Sequence, residues 1–188
     1  MELGVVNGTV RLAEHDPAWA EEAARMIAHL QEILRDPDIL EYQHVGSTAI
    51  RGILAKPIVD IAAAIRDYSV VERWRDRLEA EGFQYLGKVT DDDWMYHIGH
   101  PGRNDRTHHL HFVTAGSARW IKYVSFRDYL NAVPAAAERY GNLKRSLAET
   151  LAGERKQYHA AKVSLIDELE AEAFAWWEAG GKDGRYAG

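Results

Sequence analysis

Gly46-Ser47-Thr48 follows Glu41-Tyr42-Gln43-His44-Val45, a run that alternates in the manner of a strand. A strand that ends in Gly-Ser and turns into a helix presents free backbone N–H groups, a hydroxyl and the positive end of a helix dipole. That combination suits phosphate. Gly-Ser turns after strands are common, so this feature alone weighs more toward plain structure. Asp60 is more informative, because it interrupts the apolar run Ile58-Val59-Asp60-Ile61-Ala62. A carboxylate buried there needs a cation, a metal or several donors. Pairing with Lys56 is the structural alternative, and the two readings carry equal weight. The third element is Arg106-Thr107-His108-His109-Leu110-His111-Phe112-Val113. On a strand, His109 and His111 share one face, and His108, Leu110 and Phe112 share the other. Imidazoles two residues apart start about 7 Å from each other at the backbone, close enough to converge on a metal or a phosphate. One such His is more often a hydrogen-bonded core residue, but two beside a buried Asp favour a site. His44, His97 and His100 add to the histidine content around this expected sheet.

Arg51, Lys56, Arg103, Arg106, Arg127 and Lys144 are the candidate anion contacts, each more often a solvating group when taken singly. Lys56 has the best case, lying between the Gly-Ser turn and Asp60. Arg127 has Asp128 beside it as an alternative partner. Arg155, Tyr158 and Lys162 share a helix face, which reads as a solvated stripe.

These residues need elements to hold them. Val10-Arg11-Leu12 reads as a short extended segment. Asp16-Pro17 caps a helix over about 17–35, with Trp19, Ala23, Ile27, Leu30 and Leu34 at helical spacing. Residues 41–45 form a strand, 49–54 a short helical turn interrupted at Gly52, and 57–65 a central strand. A helix follows over 67–81, with Val70, Val71, Trp74 and Leu78 on one side and Gly82 closing it. Strands over 83–89, 94–99 and 107–114 are separated by turns, the last of them Pro101-Gly102-Arg103-Asn104-Asp105. After Gly116 the pattern is helical: 117–131, 134–151 and 154–177, broken at Pro134 and Gly153. The sum is an α+β domain over 1–178. A mixed sheet of about five strands is packed with helices, and the C-terminal helices over about 117–178 serve as a lid or wall. A polar tail occupies 179–188, and the Trp residues are assigned to packing.

Composition narrows the function classes. A net charge of −6 without a strong basic run disfavours long nucleic acid as a partner, though a local basic pocket remains open. With no Cys there are no disulfides, thiolate ligands or Cys nucleophile, so a metal must be held by His, Asp, Glu, backbone oxygen or water. The first ten residues lack a signal-peptide layout, and no apolar run is long enough to span a bilayer. The expectation is a cytoplasmic protein with no membrane partner.

The stretch His44-Val45-Gly46-Ser47-Thr48-Ala49-Ile50-Arg51-Gly52-Ile53-Leu54-Ala55-Lys56-Pro57-Ile58-Val59-Asp60-Ile61 resembles the signature of the GrpB family, with Arg51 where the family usually has Pro. Asp16-Pro17-Ala18-Trp19, His109-Leu110-His111, Phe126-Arg127-Asp128-Tyr129-Leu130 and the block from Arg155 to Lys162 resemble its other elements. The resemblance thus covers roughly 10–178. That family is similar to the nucleotidyltransferases, and a related domain is fused to dephospho-CoA kinase in some bacteria. The resemblance implies a nucleotidyltransferase-like α+β fold in which Gly-Ser precedes a strand of metal-binding acids. In active nucleotidyltransferases that strand carries two carboxylates one residue apart, with a further acid on a later strand, and these hold Mg²⁺. Here Asp60 keeps the first position, Ala62 occupies the second, and the later strand offers His109 and His111. Imidazole suits Zn²⁺, Mn²⁺ or Fe²⁺ better than Mg²⁺.

Three readings follow. In the first, the chain is an enzyme of nucleotidyl or phosphate-group chemistry on a small molecule. Gly46, Ser47, Thr48, Lys56 and Arg127 hold phosphate, and Asp60, His109 and His111 act as catalytic and metal-binding groups for a divalent ion. In the second, it is a non-catalytic module for a nucleotide or phosphorylated ligand, which the loss of the second carboxylate favours. In the third, it works through protein contact and the His cluster is structural.

Overall fold

The structure, a computed structural model, describes residues 2–150 and 155–181 and, for 147–150, 155–163 and 181, only the course of the backbone. A two-residue strand β1 (Val5–Val6) precedes α1 (Ala18–Ile33), β2 (Ile39–Val45), β3 (Val59–Ile65) and α2 (Ser69–Ala80). Then come β4 (Gln84–Thr90), β5 (Asp93–Ile98), β6 (Asp105–Arg106), β7 (His108–Thr114), α3 (Ala118–Ala132), α4 (Pro134–Thr150) and α5 (Arg155–Trp176).

The main sheet has the order β2-β3-β7-β5-β4. β3 and β7 run parallel at its centre and the other pairs are antiparallel, so the mixed α+β sheet expected from sequence is what forms. The parallel pair accounts for the near-continuous apolar run in β3, since its faces are covered by helices. On one face Ile61, Ala63, Ile65, Leu110, Phe112 and Tyr96 pack against Trp19, Ala23 and Leu30 of α1 and Val70, Val71 and Leu78 of α2. On the other, Val45, Ala62, Ala64 and Val113 pack under Trp120 and Val124 of α3. A third cluster joins Ile50 and Ile53 of the β2–β3 connection to Leu130, Ala137 and Tyr140 on α3 and α4 and Leu169 on α5. This cluster brings α4 alongside the loop that contains Gly46 and Ser47.

Local differences from the sequence reading have local causes. Residues 10–12 are not a strand: Arg11 donates back to Gly4 O at 3.0 Å, and only Ala13 bridges Ala55. The short strand lies earlier, where Val5 and Val6 pair with Arg106 and Asp105. The helical turn after β2 is one 3₁₀ turn, Ser47–Ala49, and Ile50 is already extended, so there is no helix dipole of any length at this point. Asp16 does cap α1, its Oδ1 accepting from Ala18 N at 2.9 Å, although regular helix begins one residue later than expected. The break at Gly153 and the tail from 182 on lie outside the described residues, as do the side chains of the polar stripe Arg155, Tyr158 and Lys162.

Candidate functional site

Parallel pairing of β3 with β7 puts Asp60 directly beside His109 and Ala62 beside His111, so Asp60, His109 and His111 share one face of the sheet. That face is the one covered by α3 and α4. One ligand atom from each of the three residues lies within 4.8 Å of the others. His109 Nδ1 stands 2.8 Å from Asp60 Oδ1. Burial would raise the Asp60 carboxyl, but the His109 hydrogen bond and the charge of His109, His111 and His44 reverse this and hold it below its ordinary value. An ionised Asp60 only accepts, so His109 donates from Nδ1–H. In the neutral imidazole Nε2 then carries the lone pair, and that atom is buried without a hydrogen-bond partner.

Gly46 sets the carboxylate's position from the other side. Its backbone has φ +70° and ψ −171°, a conformation open to glycine. A Cβ there would overlap Asp60 Oδ2 and lie 2.8 Å from Asp60 Cγ. Asp60 therefore rests against the Gly46–Ser47 turn because residue 46 has no side chain. In front of them opens a cavity of about 290 Å³, lined by Gly46, Ser47, Asp60 and His109 and by Lys56, Arg106 and Lys144. The three cations come from the loop before β3, from β6 and from α4. Lys144 is buried and donates to Leu54 O at 2.9 Å while sitting over the Tyr140 ring.

Of the residues singled out from sequence, Asp60, His109, Gly46, Ser47, Lys56, Arg106 and Lys144 share this cavity, and His111 lies behind it, buried beside His109. Thr48 and Arg127 stand elsewhere. The Thr48 side chain is buried and bonds Ile58 O at 3.2 Å and His44 Nε2 at 3.0 Å, bracing the turn from behind. Arg127 on α3 donates to Gln43 Oε1 at 2.6 Å, His44 O at 3.0 Å and Asp128 Oδ1 at 2.7 Å, and it ties α3 to β2. Arg51 and Arg103 line other depressions. His97 faces His109 across the β5–β7 ladder and bonds Gln84, whereas His100 bonds Asp105.

Sequence reasoning missed Asp93, Tyr123, Arg119 and the N-terminal wall. Asp93 follows Asp91 and Asp92 and reads as part of a turn. It is instead the first residue of β5, fully buried, and it accepts from Arg119 Nε at 2.9 Å and Tyr123 OH at 2.8 Å, with His111 Nδ1 3.0 Å away. Burial would raise its carboxyl; the bonds from His111, Tyr123 and Arg119 reverse this and hold it low. Extending the period-two pattern of β5 back by one residue would have placed Asp93 on the face of Met95 and His97. Residues 5–9 also line the cavity. Within the described residues, no helix is long and apolar enough to cross a membrane.

A sequence model described as GrpB protein matches residues 9–172. The glutamate-rich protein GrpB of Alkalihalophilus pseudofirmus is 34% identical over 170 residues, covering 89% of this chain and 97% of that one. The crystal structure of the conserved protein GrpB from Enterococcus faecalis superposes with a TM-score of 0.81 at 29% identity, covering 89% of this chain and 99% of that one. Dephospho-CoA kinase of Mycobacterium tuberculosis is 25% identical over an alignment of 198 positions that covers 93% of this chain and about half, 48%, of the kinase. The Cid1 poly(U) polymerase, in a structure with MgGTP bound, superposes at a TM-score of 0.51 and 14% identity over 72% of this chain and 44% of that one. The last likeness concerns the fold, which is nucleotidyltransferase-like. On the match over residues 9–172 and the relative at 34% identity, the chain belongs to the GrpB family.

Proposed function

We propose that this chain carries out metal-dependent nucleotidyl or phosphate-group chemistry on a small molecule. The observation that supports this most is the grouping of Asp60, His109 and His111 within 4.8 Å, beside a cavity whose walls carry Lys56, Arg106 and Lys144. Two imidazoles and one carboxylate fit a divalent transition ion, and the unpartnered Nε2 of His109 is a free donor atom. A bound ion would supply charge neutralisation next to phosphate oxygens. The chain's own groups do the rest. Lys56, Arg106 and Lys144 offset phosphate charge in a partly enclosed space, where such contacts are stronger than in water. Ser47 and the backbone of the turn orient the phosphate, and Asp60 holds the His109 proton at Nδ1. The test is incubation with nucleotides, CoA precursors and phosphorylated metabolites plus Zn²⁺, Mn²⁺ or Mg²⁺, with products followed by mass spectrometry. Turnover that survives both Asp60→Asn and His111→Ala would sink the assignment.

One observation favours a second reading, a binding module without chemistry: Ala62 stands where a second carboxylate would complete an oxygen-rich pair. Calorimetry separates the two readings. Binding without product over long incubation points to the module.

A further inference from the structure

Asp93 lies outside the cavity lining, yet it is the most thoroughly hydrogen-bonded carboxylate near the site. Its Oδ2 accepts from Arg119 Nε at 2.9 Å and from Tyr123 OH at 2.8 Å. Arg119 also donates from Nη2 to the Tyr123 hydroxyl at 2.8 Å, and that hydroxyl stands 3.1 Å from His111 Nδ1. The remaining oxygen, Oδ1, faces His111 Nδ1 at 3.0 Å. A carboxylate beside a guanidinium has no proton to give, so His111 must donate from Nδ1–H, and as a neutral imidazole it carries its lone pair on Nε2. Fixing of a ligand imidazole by a carboxylate on its far nitrogen is how metal sites set tautomer and ring orientation.

We propose that Asp93 is a positioning residue: held by Arg119 and Tyr123, it locks His111 in the Nδ1–H tautomer and so presents His111 Nε2 to the cluster with Asp60 and His109. The lock itself is a property of the metal-free chain; its consequence for ligand binding rests on the reading of Asp60, His109 and His111 as metal ligands.

Asp93→Asn tests both parts. The new carboxamide must turn its oxygen toward Arg119, whose guanidinium can only donate, and that leaves its NH2 facing His111 Nδ1. His111 must then accept at Nδ1 and carry its proton on Nε2, where it blocks the lone pair. Long-range ¹⁵N–¹H spectra of the metal-free protein are expected to show His111 as Nδ1–H in the wild type and Nε2–H in Asp93→Asn. Zn²⁺ or Mn²⁺ titrated by calorimetry is expected to bind about 10–100-fold more weakly to Asp93→Asn. Tyr123→Phe, which leaves the Asp93–His111 bond in place, is expected to keep the wild-type tautomer. A wild-type His111 protonated on Nε2 overturns the proposal without recourse to any variant, as does an unchanged tautomer in a folded Asp93→Asn. If the tautomer flips as expected but the wild type binds neither metal, the lock stands and the metal reading falls.

Discussion

Gly46→Ala tests how closely the turn and the carboxylate are coupled. At φ +70° and ψ −171° an alanine sits in a region that is essentially glycine's alone, at a cost of about 1–3 kcal/mol. The added methyl also occupies the space of Asp60 Oδ2 and comes within 2.8 Å of Asp60 Cγ. The strand has no room to retreat, because Val59 and Ile61 on either side of Asp60 are fully buried. The carboxylate must therefore rotate away, breaking its 2.8 Å bond with His109, a charge-assisted contact worth about 1.5–3 kcal/mol. The sum is about 2.5–6 kcal/mol. Gly52→Ala is the control for a positive-φ glycine, since Gly52 has φ +72° but nothing within 4 Å of its would-be Cβ. Only the backbone strain applies there. Urea unfolding followed by fluorescence of the six Trp residues should place the Gly46→Ala midpoint below that of Gly52→Ala by about 0.7–1.5 M, taking a slope of about 2 kcal/mol per molar. Equal midpoints would mean that the carboxylate is not packed on the turn, and Gly46 would lose its role in placing Asp60.

Burial pushes the His44 imidazole down from 6.5 to about 4. The unfolded chain then takes up a proton first on acidification, so stability falls from about pH 6.5 to pH 4 and is flat below, a loss of up to about 3 kcal/mol; His44→Gln should remove this part of the acid slope in pH-dependent urea melts. Lys56→Ala is expected to weaken binding of a phosphorylated ligand about tenfold, while Arg127→Ala, which unties α3 from β2, should lower Tm and leave ligand affinity alone; an unchanged affinity in Lys56→Ala with a weakened one in Arg127→Ala would exchange their roles. Zn²⁺ or Mn²⁺ at a hundred times its Kd should raise stability by about 2.7 kcal/mol, roughly 5–10 °C in Tm, and the shift should vanish with EDTA or in Asp60→Asn. Ala62→Asp is expected to destabilise by about 3–5 kcal/mol and confer no nucleotidyl transfer, because its carboxylate would enter the cluster under Trp120 and Val124; a stable variant with new activity would contradict this.

What could be read from the sequence was whatever has a period or an expensive burial. The apolar run of β3 showed a central strand, and Asp60 inside it showed a group in need of partners. Alternation on β7 correctly put His109 and His111 on one face. What could not be read depends on pairing between distant segments. Nothing local in residues 5–9 says that they pair with Asp105 and Arg106 and wall the cavity. Arg127 sits in a segment that resembles the family pattern, yet its reach is toward β2, a choice made by the packing of α3. Asp93 was hidden by Asp91 and Asp92, since three aspartates in a row look alike until strand pairing buries one of them.

The departure at position 62 has a physical cause that bears on the chemistry. Ala62 is fully buried on the same face as Asp60, but it lies deeper under α3, with Val45, Val113 and Trp120 around it. A carboxylate there would face apolar side chains, and its neighbour on β7 is His111. The negative charge stands one strand farther on, at Asp93, with His111 between it and the cluster. His111 thus has a carboxylate behind it and the cluster with Asp60 in front. On the proposed reading of the cluster as a metal site, the imidazole nitrogen is the donor atom and the acid behind it sets the proton. The site is then better matched to an ion that accepts nitrogen than to Mg²⁺, so the screen for activity begins with Zn²⁺ and Mn²⁺.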